Sequence, residues 1–196
     1  LEKGDGKTAL ATIKNALSID NVSTLYHTHH GIILKALGRL EDARKAYEEA
    51  LALDPEACDT LFNLALLCQD TGDLRESLTL CLRVTKLDPS NAAAFNNLGT
   101  THQHLGQFEE AATAYRAAIA LNPGHIGAYC NLAAALAEGD QIKDSLTVCE
   151  EALEKWPGHS EILNAQSNAH VKAQNWDAAL ATSEASISSA PEFAQA

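Results

Sequence analysis

Asn63, Asn97 and Asn131 stand 34 residues apart, and the chemistry they share is that of the peptide group itself. A carboxamide offers donors and an acceptor, so each can bond the main chain of an extended polypeptide without reading its side chains. At the same spacing lie Phe62, Asn96, Cys130 and Asn164, then Thr100 and Asn168, while Asp59 and Glu161 add negative charge. This set suits binding. No glycine-rich phosphate loop or nucleophile elbow occurs, so no catalytic residue and no cofactor are expected. His27 and His30 are three apart, which puts two imidazoles on one helix face and raises the question of a metal. No acidic or cysteine ligand is close to them in the repeat, both fall at expected packing positions, and no metal site is assigned. His102 and His104 fail in the same way, and His125 and His159, in Pro-Gly-His turns, read as surface loop residues.

The elements that must carry these residues are set by a strict period. Pro55, Pro89, Pro123, Pro157 and Pro191 are each 34 residues apart, the mark of one supersecondary unit repeated. Numbering each unit from the third residue after a proline gives full repeats at 24–57, 58–91, 92–125, 126–159 and 160–193. Residues 1–23 form a partial repeat holding a second helix, 194–196 open a further repeat, and 1–196 make a single array. Position eight is always small (Gly31, Ala65, Gly99, Ala133, Ser167), as where two helices approach closely. Ala43, Ser77, Ala111, Ser145 and Ala179 at position twenty, and Ala50, Val84, Ala118, Ala152 and Ser186 at twenty-seven, mark further close contacts. Gly38, Gly72 and Gly106, then Asp140 and Gln174, occupy position fifteen and mark the turn between two helices. Proline ends the second helix, so Asp54, Asp88 and Asn122 begin the turn into the next unit.

Composition agrees with an all-α chain: alanine, leucine and glutamate dominate, and no alternating β-branched segment suggests a strand. Acidic residues outnumber basic ones 26 to 14, a net charge of −12 that repels nucleic acid at long range. No stretch approaches the roughly 20 apolar residues of a membrane span. The five cysteines show no CxxC pairing and read as reduced core residues, which suits a cytoplasmic setting.

Residues 91–123, NAAAFNNLGTTHQHLGQFEEAATAYRAAIALNP, closely resemble the tetratricopeptide repeat consensus, and the resemblance runs along nearly the whole chain. It implies an α-solenoid of helix-turn-helix repeats wound as a right-handed superhelix. On a first helix, positions four, seven, eight and eleven form the packing stripe. Positions two, five, six, nine, twelve and thirteen centre about 150° away at about 100° per residue. By resemblance that second strip faces a concave groove, where Asn63, Asn97 and Asn131 at position six would form a ladder. First helices about 10 Å apart and a ligand advancing about 3.3 Å per residue would let every third ligand residue meet a rung. His29 and Ala165 interrupt the ladder at its ends.

The pattern is similar in style to the asparagine-lined superhelix of O-GlcNAc transferases, and kinesin light chains use related chemistry. The carboxylate clamp of co-chaperone repeats is absent, because no cation stands at its positions (Thr28, Ile32, Asn63, Ala93 and Asn97, or one repeat on). The function expected is therefore a non-enzymatic protein-interaction module holding an extended, neutral or basic peptide segment, with no nucleic-acid or membrane partner. The alternative is the substrate-recruiting arm of a larger glycosyltransferase. Gly4, Ala9, Ile13 and Ala16 match positions fifteen, twenty, twenty-four and twenty-seven of an earlier repeat, so the chain reads as part of a longer array. Neither end has a convincing polar cap, which raises the expectation of end-to-end association between copies.

Overall fold

The structure, a computed structural model, describes residues 3–189, with side chains from residue 6 onward; Pro191 and the segment 194–196 lie outside the described residues. Eleven α-helices and no strand occur among them. They fall into two compact units, Leu1–Ser90 and Asn91–Ala196. The first holds α1 (Lys3–Ile19), α2 (Thr24–Ala36), α3 (Leu40–Leu53), α4 (Cys58–Thr71) and α5 (Leu74–Leu87). The second holds α6 (Ala92–His104), α7 (Phe108–Leu121), α8 (Ile126–Glu138), α9 (Ile142–Lys155), α10 (Ser160–Lys172) and α11 (Trp176–Ser189). The architecture is an all-α helical repeat solenoid built from antiparallel pairs, α2 with α3 through α10 with α11.

Each first helix ends in the same way. The residue at position fifteen turns left-handed, with φ of 74° at Gly38, 84° at Gly72, 73° at Gly106, 64° at Asp140 and 57° at Gln174. The next amide then donates to the carbonyl five residues back, as in Asp73 N to Cys68 O at 2.8 Å and Gln141 N to Leu136 O at 2.8 Å. This closure needs a positive φ, which glycine adopts freely and glutamine does not. Gly4, at the corresponding position of the partial repeat, lies inside α1 instead.

The second helices end on the residue before proline, where the side chain closes a local turn. Asp54 Oδ1 accepts from Glu56 N at 3.0 Å, Asp88 Oδ1 from Ser90 N at 3.1 Å, and Asn122 Oδ1 from Gly124 N at 3.1 Å. Three first helices then begin on a capping side chain: Ser23 accepts from Tyr26 N, Asn91 from Ala94 N, and His125 Nδ1 from Ala128 N. His125 is thus a helix cap rather than a plain loop residue.

The core of each pair is a three-residue fit between positions eight, twenty and twenty-four. In the first and third full repeats it reads Gly31, Ala43, Tyr47 and Gly99, Ala111, Tyr115. The tyrosine ring packs against the glycine, so a Cβ on Gly99 would stand 2.6 Å from Tyr115. In the second and fourth the set is Ala65, Ser77, Cys81 and Ala133, Ser145, Cys149. Here a smaller thiol leaves room for the alanine methyl, and the serine hydroxyl donates across the pair: Ser77 Oγ to Ala65 O at 3.0 Å, Ser145 Oγ to Ala133 O at 2.7 Å. The fifth repeat reverses the donor, with Ser167 Oγ reaching Ala179 O at 2.9 Å. The expected stripe residues Leu61, Leu64, Ala65 and Cys68, with Tyr129, Leu132, Ala133 and Leu136, are all buried.

Within the first unit, ionic contacts tie successive repeats. Arg44 of α3 reaches Asp73 at 2.5 Å and Glu76 at 2.7 Å at the start of α5, and Lys35 meets Asp70 at 2.9 Å. Cys68, Asp73 and Glu76 bring metal-type ligand atoms together, but the Arg44 guanidinium bonds all three. All five cysteines are free thiols.

Three outcomes follow for stability. Gln174→Gly should stabilise the fifth repeat by about 1 kcal/mol, because a left-handed residue with a side chain costs about that much more than glycine; urea titration measures it. Gly99→Ala should cost about 1–3 kcal/mol through overpacking against Tyr115, read as a fall in the denaturation midpoint. The two tyrosines should diverge. The Tyr115 hydroxyl donates to Gln103 Oε1 at 2.9 Å, whereas the buried Tyr47 hydroxyl has no hydrogen-bond partner among the described residues. Ile32 and the Asp70-bound Lys35 stand where Thr100 and Gln103 serve Tyr115. Tyr115→Phe should therefore lose about 1 kcal/mol, while Tyr47→Phe should be neutral or stabilising.

Candidate functional site

The strip of first-helix positions opposite the packing stripe forms a groove in each unit. In the second unit a cavity of about 570 Å³ lies between α8 and α10. Five of the residues singled out from sequence line it: Cys130 and Asn131 on α8, Glu161, Asn164 and Asn168 on α10. Ala134, Ala137, Ala165 and Val171 supply an apolar floor, and Glu138 and Lys172 charge one end. Every one of these residues sits at position two, five, six, nine, twelve or thirteen of its repeat. Glu138, Glu161, Asn164, Asn168, Val171 and Lys172 are exposed, whereas Ala137 is buried and the other lining residues are partly buried.

In the first unit a cavity of about 410 Å³ lies between α2 and α4. Asp59 and Asn63 line it, together with Thr28, His29, Ile32 and Cys58, which sequence reasoning had not placed in a site. Thr28 and Thr60 fix the spacing of the two helices by a buried hydroxyl contact at 2.6 Å. Phe62, Asn96, Asn97 and Thr100 line neither of these two cavities.

The asparagines differ in how much of their bonding capacity is committed. Asn63 Nδ2 donates to Asp59 O in its own helix at 2.7 Å, and Asn131 Nδ2 donates to Asn96 Oδ1 at 3.2 Å. Asn131 and Asn96 are thus held as a pair bridging two repeats of the second unit. Asn97, on α6 in the same unit, is half-buried. Thr100 is occupied: its hydroxyl donates to Asn96 O at 3.2 Å and lies 3.2 Å from the Tyr115 hydroxyl oxygen. Burial pushes the Cys130 thiol up to about 11, so it stands in the groove as a neutral, weakly polar group.

One sequence expectation needs correction. An acid does lie beside the histidine pair: His27 Nδ1 sits 3.0 Å from Glu49 Oε2, and its Nε2 sits 2.9 Å from Asn21 O. Glu49 is on α3, which folds back along α2, so spacing within one helix could not reveal it. Both His27 ring nitrogens are engaged by these contacts. No cation stands at the clamp positions, and Lys172, at position thirteen, reaches the groove of the second unit. Glu138 at the same position was also passed over. The helical period that selects position six selects thirteen too, but only carboxamides and their neighbours had been considered.

Comparisons with known proteins agree with this architecture. Profiles described as tetratricopeptide repeat match residues 92–125 and 59–91, and one described as TPR repeat matches 31–72. No curated protein sequence matches the chain at a significant level. Among solved structures, a tetratricopeptide repeat protein from Parabacteroides merdae superposes with a TM-score of 0.85 at 18% identity, over 96% of this chain and 75% of that one. YrrB, described as a TPR protein with an unusual peptide-binding site, gives 0.73 at 20% identity, over 91% and 92%. MamA from Desulfovibrio magneticus, from residue 41 to its end, gives 0.76 at 17% identity, over 88% and 96%. No described helix is long and apolar enough to cross a membrane. With five left-handed turns in one register, small residues at every close approach and these matches, the chain belongs to the tetratricopeptide-repeat family.

Proposed function

We propose that this protein–protein interaction module holds an extended peptide segment of a partner on its first-helix faces, with Asn63, Asn97 and Asn131 bonding the ligand main chain. One observation carries the reading: Cys130, Asn131, Glu161, Asn164 and Asn168, singled out from the sequence, line a single groove. A wall of carboxamides over an alanine floor matches a polypeptide backbone, whose alternating donors and acceptors need both. Tetratricopeptide repeats are generally non-catalytic scaffolds, and the groups in the groove fit that role. YrrB, of similar fold, is described as having a peptide-binding site, which supports the same use here.

Each carboxamide bond contributes only about 0.5–1.5 kcal/mol net, so affinity requires several rungs and side-chain contacts together. Asp59, Glu138 and Glu161 against the single Lys172 favour a neutral or basic segment over an acidic one.

The test is a variant with Asn63, Asn97 and Asn131 all changed to alanine, challenged with peptides selected on the wild-type chain. Affinity should fall at least about 10-fold, the equivalent of about 1.4 kcal/mol, with a melting temperature within a few degrees of wild type. Unchanged affinity would remove the asparagines from the binding mechanism.

A further inference from the structure

Position thirteen, the last turn of a first helix, is acidic in two places, and the structure treats the two acids differently. In the first unit, Asp70 is neutralised by Lys35 from position twelve of the preceding repeat, at 2.9 Å. In the second unit the same inter-repeat geometry joins Gln103 to Glu138, with Gln103 Nε2 donating to Glu138 Oε2 at 3.0 Å. The amide orients the carboxylate without cancelling its charge.

Gln103 is itself fixed from the core. The hydroxyl of Tyr115, a side chain only 1% exposed, donates to Gln103 Oε1 at 2.9 Å. With its oxygen committed to the phenol, the amide must present its NH₂ to Glu138. A strut thus runs from the buried ring through the amide to a carboxylate on the groove wall. Glu138 also closes α8, where the partial negative charge of the helix C-terminus opposes a carboxylate and favours a cation. Ala134, Ala137, Ala165 and Val171 line the same cavity. Lys172, on the same groove, forms no ion pair with Glu138 among the described residues.

We propose that Glu138 is the specificity-determining residue of this groove, reading a lysine or arginine side chain of the bound peptide, with Gln103 as its positioning residue. The proposal rests on the peptide-binding reading above. The chemistry of the pocket matches both halves of such a side chain: its methylene stem packs on the alanine and valine floor, and its charged head meets the oriented carboxylate. An acidic side chain at that place would face Glu138 and the helix end together and be rejected.

A phage-displayed library of random nonapeptides, selected in parallel on the wild-type chain, Glu138→Gln and Gln103→Leu, tests the idea. Wild type should enrich peptides with Lys or Arg recurring at one register position, about 10-fold over the starting library. Glu138→Gln should lose that preference while keeping its melting temperature, since an exposed amide still accepts from Gln103. For one selected peptide, Gln103→Leu should weaken binding several-fold, with norleucine in place of lysine abolishing the difference; a merely structural defect would weaken both peptides alike. Enrichment without any basic preference, or a preference that survives Glu138→Gln, overturns the role of Glu138 and leaves the peptide groove standing. Failure of the wild-type chain to enrich any peptide overturns both.

Discussion

The whole architecture depends on how closely two helices can approach within one repeat. At position eight the first helix has almost no side chain, and position twenty-four of the second helix fills the space left above it. Where the filler is a ring (Tyr47, Tyr115), position eight is glycine; where it is a thiol (Cys81, Cys149), position eight is alanine and a serine adds a bond to the backbone. Close packing of this kind tolerates little change in volume. It holds the two helices of a pair in register and so decides which strip of the first helix is left to face outward.

That outward strip inherits its chemistry from the core. Tyr115 belongs to the packing, yet its hydroxyl orders Gln103 and through it Glu138, so a core choice reaches the groove wall. Tyr47 also packs on a glycine, but Ile32 and an already paired Lys35 hold the equivalent positions, and its buried hydroxyl has no hydrogen-bond partner among the described residues. Identical core residues therefore serve different ends in the two units, according to what stands at positions nine and twelve. Binding surfaces diversify by this route while the packing beneath them stays constant.

Much of the fold was legible because it is periodic. Among the described residues, four prolines and five small residues in one register mark where helices end and where they touch, and even Asp140 and Gln174 turn as the glycines do. The groove was legible to the extent that it follows from helical angle, which is why Asn131, Asn164 and Asn168 share a cavity. What escaped were pairings between helices. Glu49 meets His27 across 22 residues and Gln103 meets Glu138 across 35, separations that a pattern within one helix does not report. The Tyr and Cys alternation was equally visible as letters, but its meaning appears only when the ring is seen lying on the glycine.

The coupling between positions eight and twenty-four also sets what can be exchanged. A first helix carrying alanine joined to a second helix carrying tyrosine would collide, and the reciprocal hybrid would leave a hole the size of a ring. Whole repeats, in contrast, bring their own matched halves with them. The smallest interchangeable part of this molecule is thus the helix pair, and shuffling that cuts at a proline preserves the fit, whereas shuffling that cuts at the left-handed turn destroys it.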